Sequence, residues 1–211
     1  MHVTFFSCRD PFTSYKARTT FIPLVVFVVW ILGAGIGVHA LLRYAYTEGT
    51  PAKPPSRWPA NSRIPRNEGF QLIVFAHPEC PCSRATLREL AIIVGHSRKQ
   101  LDVHICFYAP GSMREEWRTS DLWSDASSIP GVKTFEDMDG RESRKFGAAT
   151  SGEALLYDAP GRLLFEGGIT ASRGHSGSND GSDAVVDILE GRTPKVRNTA
   201  VFGCSLLGPT G

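Results

Sequence analysis

Between Phe21 and Leu42 the chain runs FIPLVVFVVWILGAGIGVHALL without one Asp, Glu, Lys or Arg. As a helix rising about 1.5 Å per residue, this stretch covers roughly 33 Å, close to the hydrocarbon core of a bilayer. A soluble helix of that length would keep a polar stripe, so the segment reads as a single membrane-spanning helix. Val38-His39-Ala40 has the small-x-small form of a signal cleavage site. The apolar run is nevertheless longer than the roughly 7–15 residues of a signal core, which favours an uncleaved anchor. The expected organisation is a short N-terminal segment (1–20), a transmembrane anchor (21–42), a linker (43–65) and one domain (66–211). The linker is assigned from Thr50–Pro65, TPAKPPSRWPANSRIP, whose five prolines favour an extended spacer over a packed core.

Charge narrows the partners. Lys and Arg total 23 against 21 Asp and Glu, a net charge of +2 that makes no electrostatic case for nucleic acid. Arg9, Lys16 and Arg18 precede the span while Arg43, Lys53, Arg57, Arg63 and Arg66 follow it, so counting positive charges does not favour export. Cysteine chemistry of the kind described below suits an oxidising compartment, and on that ground the domain is expected on the extracytoplasmic, periplasmic side of a single-pass anchor.

Within residues 66–211, Phe70–Ala76 (FQLIVFA) reads as a central strand buried on both faces. Leu87, Leu90, Ala91 and Val94 then fall on one face of a helix ending near Gly95, and Leu101–Tyr108 alternates as a second, parallel strand. From Ala109 to Thr150 two short helices are expected, Ser112 to Trp117 and one capped by Asp139 through Phe146. Glu153–Asp158 and Arg162–Glu166 flank Ala159-Pro160-Gly161 as a hairpin. After a Gly- and Ser-rich loop, Ser182 caps a last helix that stops at Gly191. These elements make an α/β sandwich. Trp117 and Trp123 read as packing groups.

Five cysteines occur, at 8, 80, 82, 106 and 204. Cys8 precedes the span, and Cys106 sits in a strand as a small hydrophobe. Cys80 and Cys82, in His77-Pro78-Glu79-Cys80-Pro81-Cys82, directly follow the first strand and open the helix, where unpaired N–H groups and the dipole favour thiolate over thiol. His77, if protonated, would stabilise the same charge. A disulfide spanning one intervening residue closes a small ring, and strained disulfides tend to be labile. Cys204, after Val201-Phe202-Gly203, is a third candidate sulfur, resolving a mixed disulfide with Cys80 or Cys82, acting as a third metal ligand, or simply packed or free. Any redox role requires Cys80 and Cys82 to be reachable by solvent and not to point apart.

The order of strand, Cys motif, helix, strand and hairpin, with HPECPCSRATLREL and EALLYDAPGRLLFEGGIT, resembles the thioredoxin-like superfamily over roughly residues 66–192. More narrowly it resembles membrane-anchored thiol-disulfide oxidoreductases of the TlpA and RedB type. The resemblance implies a thioredoxin-like sandwich with a central mixed sheet, Cys80 in the nucleophilic position and Cys82 in the resolving one, although C-P-C departs from the usual C-x-x-C. It puts Gly152 where such proteins usually carry a cis-proline, and makes Ser151, Gly152 and Glu153 the substrate-docking backbone. The implied activity exchanges disulfides with extracytoplasmic protein thiols or disulfides and needs no cofactor. A peroxiredoxin would resemble T-x-x-C, where this chain has His77. A Sco-type copper protein would carry a His just before the hairpin, where Thr150 stands. Copper remains an alternative because two thiolates and an imidazole suit Cu(I), with His175 as a further ligand. A catalytically degenerate interaction domain is the third alternative.

Overall fold

The computed structural model describes residues 12–97, 100–111 and 120–207. They fall into two compact units divided between Tyr44 and Ala45. The first is built on helix α1 (Phe12–Ala45), whose stretch Phe21–Ala45 is long and apolar enough to cross a membrane. Its large side chains, Phe21, Trp30 and Leu41 among them, are exposed, as they must be if lipid is their solvent.

The second unit is a five-stranded mixed sheet in the order β3-β2-β1-β4-β5. The strands are β1 (Phe70–Ala76), β2 (Leu101–Ala109), β3 (Val132–Met138), β4 (Glu153–Tyr157) and β5 (Leu163–Gly168). β1, β2 and β3 run parallel, β4 antiparallel to β1 and β5 antiparallel to β4. The helices are α2 (Ser83–His96), α3 (Asp121–Ser127), α4 (Arg141–Phe146) and α5 (Asp180–Glu190). β1 is central, as its apolar run demands. Its alternate residues feed two cores: Leu72, Val74 and Ala76 pack with residues of α2, α3 and α5, while Ile73 and Phe75 pack with Phe146, Tyr157, Ile64 and Leu206.

Several expectations are corrected. Of the expected 43–65 linker, residues 43–45 continue α1 and 46–65 are irregular, as the prolines require, yet the segment is no free spacer. Ser56 accepts from Leu163 N (3.0 Å), Tyr157 Oη donates to Pro55 O (3.2 Å), and Trp58 packs edge-on against Phe146 and Tyr157 with ring centroids 5.1 and 5.4 Å away. β2 does not alternate, because helices and loop segments bury it on both sides. On α2 the buried residues are Ser83, Ala85, Thr86, Leu87, Glu89, Leu90 and Ile93, leaving Ala91 exposed and Val94 half-buried.

Between Ala109 and Thr150 the chain holds an unforeseen strand, β3, and an unforeseen helix, α3, capped by Ser120 Oγ accepting from Trp123 N (3.3 Å). Asp139 does not cap α4. Asp137 does so, accepting from Glu142 N (2.6 Å), Ser143 N (2.9 Å) and the Ser143 hydroxyl. α5 begins earlier than foreseen because Asn179, not Ser182, is its cap, its Oδ1 accepting from Ser182 N (2.8 Å). Trp123 is half-buried against Phe107, its ring 5.1 Å away. The Ser112–Trp117 helix lies outside the described residues.

Candidate functional site

β1 ends at Ala76, and the chain turns through His77–Cys82 into α2, with Cys80 N donating to His77 O (3.0 Å) and Ser83 N to Cys80 O (3.0 Å). That turn sets Cys80 and Cys82 close to one another at the helix entrance, where the motif's position after a buried strand predicted them. The third sulfur comes from the tail: Cys204 Sγ lies 3.1 Å from Cys80 Sγ, beyond the about 2.05 Å of a disulfide but within hydrogen-bond reach. Cys80, Cys82 and Cys204 therefore form one cluster of free thiols. Cys106 is not part of it. Burial on β2, helped by Asp137 and Glu142, pushes its thiol well above the ordinary value, so it stays protonated and unreactive.

The three thiols are electrostatically unequal. Burial opposes ionisation of Cys80, but hydrogen bonds from the Cys204 thiol and backbone, the Ser83 hydroxyl and the Cys82 backbone outweigh it, holding Cys80 below its usual range. Cys82 is pushed up, first by burial and then by the Cys80 charge, with Arg173 pulling the other way. Cys204 is pushed up to about 11 by burial and by its bond to Cys80, again with Arg173 opposing. One thiol of lowered pKa beside two of raised pKa is the arrangement disulfide exchange needs, since the nucleophile must ionise more readily than its neighbours.

His77 does not play the expected part. Burial lowers its pKa, with Glu79 only partly opposing, and Glu79 N donates to its Nδ1 (3.2 Å), which requires that nitrogen to be unprotonated. Hydrogen bonds rather than an imidazolium stabilise Cys80. The His77 backbone instead donates to Ser151 Oγ (2.8 Å), which also shares a 2.8 Å bond with Ser83 Oγ. Sequence reasoning missed Ser83, whose only signal is its place in the first turn after the motif. It also missed Arg173, hidden in a Gly- and Ser-rich loop but fixed by bonds from its backbone N to Ala45 O (3.0 Å) and from Nε to Thr47 O (3.2 Å).

The expected docking backbone is reduced. Gly152 N donates to Phe75 O (2.8 Å) and Glu153 lies in β4, paired with Phe75 and Gly168, so both are spent inside the sheet. Gly152 adopts φ +97°, a conformation that favours glycine, and no cis peptide occurs among the described residues. Ser151 N faces the site, where it donates to Cys204 O (2.8 Å).

The requirement of solvent reach is not met in this arrangement, because Cys80 and Cys82 are only 3% and 6% exposed while Cys204 is half-buried, so a redox role requires the Cys204 segment to move. The Cys82 thiol is close enough to Cys80 to interact with it, so the pair does not point apart. The Cys204 segment lies over Cys80. For copper, the donor set does not assemble: His175 is exposed, and no group of three or more His, Cys, Asp or Glu with metal-binding geometry occurs among the described residues.

No protein-family model matches the sequence, and no curated protein matches it. Solved structures do. A hypothetical protein from Sinorhizobium meliloti is similar at a TM-score of 0.56 and 20% identity, covering 79% of this chain and 97% of the other. An uncharacterized conserved protein from Geobacillus kaustophilus is similar at a TM-score of 0.56 and 14% identity, over 79% and 94%. A secreted Mycobacterium tuberculosis disulfide oxidoreductase homologous to E. coli DsbE is matched at a TM-score of 0.42 and 13% identity, over 58% and 81%. With β1, the cysteine turn and α2, the parallel β2 and the antiparallel β4–β5 hairpin in place, the fold of this chain is thioredoxin-like.

Proposed function

We propose that the chain is a membrane-tethered thiol-disulfide oxidoreductase that works on extracytoplasmic protein thiols or disulfides, with Cys80 as its nucleophile. The observation that carries this reading is the Cys80–Cys204 contact of 3.1 Å, in which the thiol of lowest pKa meets a protonated one. In the forward step the Cys80 thiolate attacks a partner disulfide, the Cys80–partner bond forms, and the departing partner sulfur takes up a proton. A second thiol of the cluster, Cys82 or Cys204, loses its proton and attacks Cys80, releasing the other partner sulfur as a thiol. Two electrons pass to the partner, and the cluster keeps the disulfide. The reverse sequence oxidises a partner dithiol.

Phe21–Ala45 supplies the tether in this reading, with residues 45–211 on the periplasmic side. Both parts are testable. Full-length protein in detergent, with reduced glutathione as electron donor, should catalyse reduction of a model disulfide, and Cys80→Ser should abolish turnover; unchanged turnover in that variant defeats the proposal. Protease added to intact spheroplasts should digest the domain, whereas protection until lysis would place it in the cytoplasm.

A further inference from the structure

The tail does more than deliver a sulfur. Besides the Ser151–Cys204 bond, Leu206 N donates to Ala149 O (2.9 Å), and Thr150 and Ser205 pair as an antiparallel bridge. Residues 203–206 thus lie along 149–151 as a short added strand. Leu206 is fully buried on one side of it, and Val201 nearly so. The fit is closest at Gly203, where a Cβ would overlap the carbonyl oxygen of Ser151. Only a residue without a side chain brings the strand close enough for the next residue, Cys204, to meet Cys80. Cys80 is almost wholly buried in this arrangement, with Cys204 Sγ of the seated tail 3.1 Å from its sulfur.

We propose that the 149–151 edge is a docking site for an extended peptide carrying glycine immediately before its cysteine, that residues 203–206 are its resident occupant, and that a partner protein reaches Cys80 by displacing them. This rests on the disulfide-exchange reading above and names its substrate class: extended Gly-Cys segments in disulfide form. The cycle closes without a further reagent. The partner's peptide takes the edge and its disulfide is attacked by Cys80, one partner sulfur leaving as a thiol. The tail then returns, the Cys204 thiol gives up its proton, its sulfur attacks Cys80, and the second partner sulfur leaves as a thiol. Cys80 and Cys204 lose two electrons, which the partner disulfide gains. Of the causes that hold the Cys204 proton in the resting state, the bond to Cys80 and its charge disappear once Cys80 is in the mixed disulfide.

The test uses the full chain in detergent micelles and two symmetric peptide disulfides, of TAVFGCSL (the sequence of residues 199–206) and of TAVFACSL. Variants are Gly203→Ala and a chain truncated after Phe202. Unreactive Cys106 in each reports that the domain is folded. The expected result is that the glycine peptide forms a mixed disulfide on Cys80, mapped by mass spectrometry, at least tenfold faster in both variants than in wild type. In each protein it should also react at least tenfold faster than the alanine peptide. Equal rates in wild type and both variants, no preference between the peptides, or capture of the peptide on Cys204 in wild type would each overturn the proposal. If no peptide reacts with any variant while Gly203→Ala still speeds iodoacetamide labelling of Cys80 tenfold, the tail does cover Cys80 and it is the exchange activity that fails.

Discussion

Replacing Cys204 by Ala should raise the pKa of Cys80. The Cys80 thiolate is stabilised by the Cys204 thiol, the Cys204 backbone, the Ser83 hydroxyl and the Cys82 backbone, against the cost of burial. The substitution deletes the first of these and leaves the backbone bonds that seat the tail. A hydrogen bond to a charged group contributes about 1.5–3 kcal/mol, and a thiol is a weak donor, so about 1.5 kcal/mol is the appropriate figure. A loss of about 1.5 kcal/mol lowers the thiolate fraction roughly tenfold at a pH below the midpoint, and with it the labelling rate of Cys80. The assay is the pH dependence of iodoacetamide labelling at Cys80, resolved from the other cysteines by peptide mass. Ser83→Ala should move the midpoint in the same direction through its own lost bond. A Cys80 midpoint that stays put or falls in Cys204→Ala would refute the view that the tail thiol holds the nucleophile ionised.

The remaining predictions concern stability. Glu153 is buried, and that burial, reinforced by Glu166, raises its pKa from about 4.5 to about 8. The folded state therefore keeps a proton that the unfolded chain has lost, so stability should fall as pH rises from about 4.5 to about 8, by at most about 5 kcal/mol. Glu153→Gln should flatten that slope in thermal melts; an unchanged slope would show that another group is responsible. Trp58→Ala should cost about 3 kcal/mol in denaturant unfolding, because it removes the edge-on packing against Phe146 and Tyr157. A cost below about 0.5 kcal/mol would return residues 45–65 to the status of a spacer. Asp137→Ala should destabilise by about 2 kcal/mol by uncapping α4, read by loss of amide protection at Glu142 and Ser143; intact protection would contradict the capping role.

Much of the framework was legible because local pattern and tertiary environment agree there. FQLIVFA is apolar apart from Gln71 since β1 is buried on both faces, and Ala159-Pro160-Gly161 closes the β4–β5 hairpin by its own turn chemistry. β3 was not legible: VKTFEDM lies at the sheet edge, half exposed, and carries three charged residues where interior strands β2 and β4 carry one each and β1 none. The prolines of 50–65 correctly exclude regular structure, but they do not report that Trp58 and Ile64 supply apolar groups to the second face of the sheet. At the site, the helix entrance marked Cys80 and Cys82. Cys204 was only a candidate, because its approach depends on a pairing with Thr150–Ser151 some fifty residues away in sequence. Local periodicity carries no trace of such contacts, nor of Arg173 reaching the cluster from a loop.

The claim on which the rest depends is that Cys80 belongs to a working dithiol. Full-length protein equilibrated across a glutathione redox series, acid-quenched and mapped by non-reducing peptide mass spectrometry, tests it most directly. The account predicts a reversible two-electron transition in which Cys80 becomes disulfide-bonded to Cys204 or Cys82 while Cys106 remains a thiol throughout. Cys80 still present as a free thiol at the most oxidising end of the series would contradict it.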